Sequence, residues 1–583
     1  MHKCWRWTVA AIVMVAACTS LFVIPAAESQ EPAHPKLVVM VVFDQMRGDY
    51  PKKWQPLFGD GGFKRLQTDG AWFTNCHYPY AYTLTAPGHT SLSTGTTPSQ
   101  HGIIANDWYD RATAESVTSV SPPPEAKTKG VGPYRRKAES VGDVLLRVLM
   151  GKGRVASLSI KDRAAILMAA LRANLCYWFN TQTGNFGTSA YYRPDPHPWV
   201  TKFNKLQFAD QWLDKSWDRF DNKVDYAKYS GPDDFISEGT GYLQGQTFPH
   251  PFKLGVAKDA KKSKKNYYDA VTNSPMGNEL LLQFAKTAIV SEKLGQGDTV
   301  DLLCLSFSSN DTIGHCWGPD SQEVLDVTLR SDALIKDLLD FLDAKVGKGN
   351  YYVALSADHG VCPLPEFAKG KSAYDDATKI VADAGRIEPE ILTTQAEAFL
   401  NQQFLADGKK APWFEEPRKG NPWVYLNRAT LKELKLPQAD VERALAGWFN
   451  KQSGIEHAFT RTELMNPRNE EAKEQHPLFE SVKRSFYPSA SGDVMVIIKP
   501  YHLFSPATLT KNPDKLTSYR TTHGTPHPYD THVPLMVMGP RIVPGVRDQR
   551  VTPQTMASIL AEALGVPPPT SAAYPAPPGL FKK

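Results

Sequence analysis

The apolar residues of this chain gather into short unbroken runs. Residues 36–43 (KLVVMVVF), 300–307 (VDLLCLSF) and 351–356 (YYVALS) are rich in β-branched and aromatic side chains and lack polar alternation. Such runs mark strands buried on both faces, as in parallel sheets. A fourth run, 533–538 (VPLMVM), has the same character but carries Pro534 near its start. The segments between change period. Within 278–294, Leu281, Leu282, Ala285, Ala288 and Ile289 fall on one helical face. Within 321–346, Val324, Val327, Leu334, Leu338, Phe341 and Leu342 do the same. Residues 552–564 predict a last helix, with Pro553 at its first position. Buried strands alternating with amphipathic helices define an α/β fold with a mostly parallel sheet flanked by helices.

Elsewhere the pattern is looser. Residues 121–136 are rich in Pro, Lys and Gly. Residues 180–265 carry many Trp, Tyr, Asp and Pro and end in a lysine run (Lys258, Lys261, Lys262, Lys264, Lys265), expected to be a solvated loop. Residues 362–522 have a mixed pattern, and 571–583 form a Pro-rich tail. There is no internal repeat. At roughly 150 residues per domain, length alone suggests about four domains.

The first residues follow a different logic. Lys3 and Arg6 precede a mostly apolar stretch, 8–24, and a polar one, 28–35. That order is a secretory signal peptide. Ala27-Glu28-Ser29 has the small–x–small form of a cleavage site, so residues 1–29 are expected to leave and residues 30–583 to be the mature protein, periplasmic or secreted. Val15-Ala16-Ala17-Cys18 also has the form of a lipoprotein signal, but the residues after Cys18 stay apolar, which disfavours anchoring there. No later stretch approaches the apolar length of a transmembrane helix. Loss of Lys3, Arg6 and Glu28 lowers the net charge from +5 to +4. That is too small, and too dispersed, to imply nucleic acid as a specific partner. With 42% hydrophobic and 22% charged residues, disorder, collagen and coiled coil are excluded. Cys76, Cys176, Cys304, Cys316 and Cys362 remain after the signal. They are an odd number without a CxxC pair, so one or two disulfides could form but no metal knuckle.

Candidate chemistry sits at the strand ends. Phe43 leads into Asp44; Phe307 leads into Asp311, with His315 four residues on; Ser356 leads into Asp358-His359. Parallel α/β sheets build their sites at the carboxyl ends of strands. These residues should therefore converge, and His523, just before the 533–538 run, can join them. A single Asp at a strand end is as well explained as a helix cap. Five residues sharing the placement are not. Three Asp and three His suit zinc better than calcium or magnesium, which favour more oxygen donors. A second stretch, 82–102 (YTLTAPGHTSLSTGTTPSQHG), crowds small and hydroxylated residues. It puts Thr85 at or just before a helix N-terminus, where backbone amides favour an anion. On composition alone that stretch reads as a Ser/Thr-rich cap and turn.

The motifs KLVVMVVFDQMRGDY, TAPGHTSLSTGTTPSQHGI, NDWYD, SIKDRA, SADHG and THG…YDTHVPL occur in that order between Lys36 and the Val551 region. Together they resemble the alkaline phosphatase superfamily, and within it the calcium-independent bacterial alkaline phosphatases of the type I phosphodiesterase/nucleotide pyrophosphatase-like family. The resemblance implies two Zn²⁺ ions. Asp44, Asp358 and His359 would hold one beside the nucleophile Thr85; Asp311, His315 and His523 would hold the other. His523 is preferred over His527 and His532 because it follows a Thr-Thr pair. Asn106, Lys161 and Arg163 match the phosphoryl-binding residues of the monoesterase branch. Two cations and an amide suit a phosphate monoester, with nearly two charges, over a diester with one. The expected activity is monoester hydrolysis through a phosphothreonine.

Two rivals accompany this reading. A phosphodiesterase or nucleotide pyrophosphatase of the same superfamily would grip a nucleobase with aromatics, for which Trp108, Tyr109, Tyr177 and Trp178 are available. A non-catalytic exported binding protein could share the fold. The site residues also revise the domain count. Positions from Asp44 to His523 can meet only within one large catalytic domain, with insertions at about 180–265 and 362–522. Those insertions are expected to roof the site and to place the surplus aromatics there. Oligomeric state is not legible.

Overall fold

The computed structural model describes residues 35–254, 260–415, 422–466, 476–505 and 519–583. The expected signal peptide, residues 1–29 with Cys4 and Cys18, therefore lies outside the described residues, as does Lys258. The strands that matter are β1 (Leu37–Phe43), β2 (Ala71–Phe73), β3 (Val155–Ser159), β4 (Leu175–Asn180), β5 (Asn185–Gly187), β6 (Asp301–Phe307), β7 (Tyr351–Ala357), β8 (Trp423–Val424), β9 (Ile455–Thr460), β10 (Val494–Ile498), β11 (Leu535–Met538) and β12 (Gly545–Arg547). Nine of them form one sheet in the order β12-β2-β11-β7-β1-β6-β3-β4-β5. Its middle, β7-β1-β6-β3-β4, is parallel throughout. Every residue of β1 is fully buried, as an apolar run flanked by two further strands requires.

The helices that frame the site are α1 (Thr85–Thr94), α2 (Asp162–Met168), α3 (Ala260–Thr272), α4 (Pro275–Ser291), α5 (Ser309–Trp317), α6 (Gln322–Leu342) and α7 (Thr555–Leu564). The long helix α6 starts on Ser321, whose side chain accepts from the Val324 amide, an ordinary serine cap. Its apolar face packs into the core shared with β1, β6 and β7.

Several details differ from the sequence reading. β11 runs antiparallel to both β7 and β2, so the fourth apolar run joins the sheet in the opposite sense. The last helix starts at Thr555, which leaves Pro553 outside it. The lysine run is not a loop: Lys261, Lys262, Lys264 and Lys265 belong to α3, whose other face buries Tyr267, Tyr268 and Val271. Cys76, Cys176, Cys304, Cys316 and Cys362 are all buried and free, so the possible disulfides do not form. The aromatics of 180–265 do not roof the site as a group. Phe186, Phe203, Trp217 and Phe252 belong to the main core, where Phe186 stacks on Phe284 at 3.9 Å and Trp217 meets Trp317 edge-on at 5.8 Å. Residues 362–522 hold the small antiparallel sheet β8-β10-β9 and helices Pro389–Phe404 and Gln438–Phe449, packed around a separate apolar cluster.

Candidate active site

The carboxyl ends of β1, β3, β6 and β7 face one region. Asp44 follows β1 directly, and its amide donates to Phe307 O at the end of β6. β7 delivers Asp358 and His359. Asp311 and His315 lie four apart on α5, the spacing that sets two side chains on one helical face. His523 arrives from the loop before β11.

Two groups of donors result: Asp44, Asp358 and His359, and Asp311, His315 and His523. All six side chains are buried. In the first group His359 Nε2 lies 3.5 Å from Asp44 Oδ1 and 3.3 Å from Asp358 Oδ2. In the second, His315 Nε2 and His523 Nε2 lie 3.2 and 3.5 Å from Asp311 Oδ1. Ligand bonds of about 2.0–2.1 Å in a tetrahedron put neighbouring donors roughly 3.3 Å apart. The spacing thus fits a small divalent ion in each group. The groups are adjacent, because the His359 and His523 rings stack at 3.4 Å.

The surroundings prepare these atoms for a cation. Each histidine has its Nδ1 against a backbone carbonyl: Thr521 O for His315, Gly360 O for His359 and Thr83 O for His523, at 2.7–2.9 Å. That partner fixes the ring and turns the Nε2 lone pair inward. Burial holds His359 and His523 below the ordinary histidine pKa, in the neutral form that can ligate. Burial pushes the Asp358 carboxyl up to about 7, aided by the nearby Asp44 charge. Burial also works against ionised Asp311, but His315 and Lys161 outweigh it and hold that carboxyl well below the usual range. Asp44 Oδ1 and His359 Nε2 are buried without hydrogen-bond partners. An orphaned acceptor facing an orphaned imidazole nitrogen is costly unless an ion lies between them.

Thr85 is the first residue of α1, after Leu84 in extended conformation, and is almost fully buried. The Ala86 amide donates to Asn106 Oδ1 at 2.9 Å, which leaves the Asn106 Nδ2 hydrogens for another acceptor. Lys161, the residue before α2, has its ammonium 2.8 Å from Asp44 Oδ2 and in a close ion pair with Asp311, so it spans both donor groups. Burial opposes its charge, but Asp311 and Asp44 prevail and raise its pKa. Arg163, close enough to Lys161 to repel it, has a buried Nε without a partner.

The alternatives raised by the sequence are engaged elsewhere. His527 Nε2 lies 2.8 Å from Ile498 O, and His532 is held between Thr74 O and the Tyr374 hydroxyl. Trp108 and Tyr109 are buried, the latter against Tyr425. Tyr177 is buried in the core with its hydroxyl on His197.

Two residues escaped the sequence reading. Gln45, with φ of +67°, donates its amide to Asp358 Oδ1 and its Nε2 to Asp311 Oδ1. It therefore ties one donor group to the other at the cost of a left-handed backbone. His89 lies within 3.2 Å of Asp358 Oδ2, and its Nε2 is 2.8 Å from Ser306 Oγ. Its only sequence signal was the position four residues after Thr85. Gly88 is required by contact: a Cβ there would meet Asp358 O at 2.3 Å. Gly88→Ala should force α1 off the Asp358-His359 loop and cost about 1–3 kcal/mol in denaturant unfolding, with a loss of bound metal. Unchanged stability and metal content would show that this contact does not set the site.

The fold is a mostly parallel α/β sheet with two candidate metal-binding groups at the carboxyl ends of its strands. Residues 38–505 match the type I phosphodiesterase / nucleotide pyrophosphatase family, and the chain belongs to that family, within the alkaline phosphatase superfamily. It is 32% identical to alkaline phosphatase PafA of Elizabethkingia meningoseptica, with 94% of each chain covered. It is 30% identical to alkaline phosphatase PhoV of Synechococcus elongatus, with 94% of this chain and 93% of that one covered. The crystal structure of wild-type PafA superposes with a TM-score of 0.81 at 31% identity, covering 94% of this chain and 99% of the other.

Proposed function

We propose that this protein is an exported, zinc-dependent alkaline phosphatase that hydrolyses small-molecule phosphate monoesters through a phosphothreonine on Thr85. The observation that carries the reading is two buried donor triads side by side, next to a helix headed by a hydroxyl. Three aspartates and three histidines are a donor set suited to Zn²⁺. Two Zn²⁺ ions, held by Asp44, Asp358 and His359 and by Asp311, His315 and His523, would supply Lewis acidity to the attacking and leaving oxygens.

The chain's own residues do the rest. The N-terminal amides of α1 and the helix dipole favour the phosphoryl anion. Asn106 Nδ2, Lys161 and Arg163 hold its non-bridging oxygens. Thr85 Oγ attacks phosphorus in line with the ester oxygen. A bond forms from Thr85 to phosphorus as the ester bond breaks and the alcohol leaves. Water then attacks the phosphothreonine, freeing phosphate and returning the Thr85 hydroxyl. Positioning and fixed charge, rather than covalent assistance, account for most of the rate.

Monoester preference rests on the second cation. Lys161→Ala combined with Arg163→Ala is expected to lower kcat/KM for phenyl phosphate at least about tenfold more than for a bis-aryl phosphate. Equal losses would remove the basis for the monoesterase reading. Of the four aromatics a diesterase could use, Trp108, Tyr109 and Tyr177 are core residues, which favours the monoesterase reading, while Trp178 is half-buried. The same reading takes residues 1–29 as a signal peptide and 30–583 as one catalytic domain with insertions at about 180–265 and 362–522. It also places the enzyme in the periplasm or medium. Among the described residues no helix is long and apolar enough to cross a membrane.

A further inference from the structure

Resting on the monoesterase reading, we propose that the cavity beside His523 is a subsite for the alcohol half of the ester, and that it takes a single aromatic ring. Helix α1 abuts Asp358, as the Gly88 contact requires, so Thr85 approaches phosphorus from the Asp44–Asp358–His359 side. In-line displacement expels the alcohol on the opposite side, toward Asp311, His315 and His523. A cavity of about 240 Å³ lies there. It shares His523 with the second donor group and Leu84 with the start of α1, and Tyr82, Val496, Leu503 and Tyr519 are among its walls.

Its chemistry is that of an aryl site. Tyr519 stacks on the His315 ring at 4.1 Å, yet is 58% exposed, a large aromatic face presented beside the reacting centre. Among the described residues, no carboxylate lines the cavity, and one permanent cation, Arg520, does. Burial and the nearby Arg386 guanidinium disfavour its charge, and its buried Nε has no hydrogen-bond partner. Size selects further. A cavity of about 150 Å³ accommodates benzene, and drug-sized ligands occupy about 300–1,000 Å³. The volume suits a single ring.

The test compares benzyl phosphate with ethyl phosphate, whose alcohols have similar acidity, so the ring is the main variable. The native enzyme should show at least about a tenfold higher kcat/KM for benzyl phosphate. Benzylphosphonate should inhibit more tightly than ethylphosphonate by a similar factor. Tyr519→Ala should shrink both ratios, with inorganic phosphate inhibition serving as the check that the phosphoryl site is intact. Ratios near one in the native enzyme would overturn the subsite while leaving phosphatase activity standing. So would ratios unchanged by Tyr519→Ala in an enzyme that phosphate still inhibits. Failure to hydrolyse either ester would instead strike the monoesterase reading itself.

Discussion

Thr85→Ala should lower phosphate monoester turnover at least about a thousandfold and abolish the covalent phosphoenzyme, while bound metal and melting temperature stay near the native values. The asymmetry follows from where Thr85 sits. It is not one of the six donors, so its removal leaves both groups intact. It occupies the first turn of α1, where alanine is compatible with the helix. On the proposed mechanism, what is lost is the oxygen that bonds phosphorus. Thr85→Ser should restore much of the rate, since it returns that oxygen without the methyl group. Acid-quenched mass spectrometry would detect the phosphoenzyme in the native and Ser forms only. Near-native turnover by the alanine variant would make another group, or water, the nucleophile.

Much of this site was readable because a chain buried on both faces must be apolar, and a polar residue at its end then stands out. Asp44, Asp311 and Asp358 each follow such a run, and the structure brings all three together. The direction of β11 was not readable. A short apolar run carries no information on the polarity of its neighbours, and β11 turned out antiparallel. Nor could the lysine run be read correctly. Lysines on an exposed helical face and lysines in a loop look alike unless the apolar partners on the other face are counted, here Tyr267, Tyr268 and Val271. The aromatics of 180–265 were misplaced for a related reason: sequence shows surplus apolar area but not which core receives it. Gln45 and His89 escaped because a neutral or single residue acting on a ligand leaves no spacing pattern. Their roles exist only once β1, β7 and α1 are folded against one another.

The six donors also make a thermodynamic commitment. Three carboxylates share a buried region with the Lys161 ammonium as their nearest balancing charge, and Asp44 Oδ1 and His359 Nε2 lack partners. A folded chain that carries these costs without ions gives up stability that metal binding restores. An ion present at a thousand times its dissociation constant contributes about 4.1 kcal/mol. For two sites in a chain of this size, stripping with a strong chelator should lower Tm by on the order of 10 °C and abolish activity. Zn²⁺ should restore both, whereas Mg²⁺ and Ca²⁺, which prefer oxygen donors, should not. His359→Ala and Asp311→Ala should each reduce the metal content from two equivalents toward one, because each belongs to a different group. Thermal melting and elemental analysis read these outcomes without reference to turnover. A chelated protein that melts at the native temperature, or a His359→Ala variant with full metal content, would show that the donor groups are not metal sites.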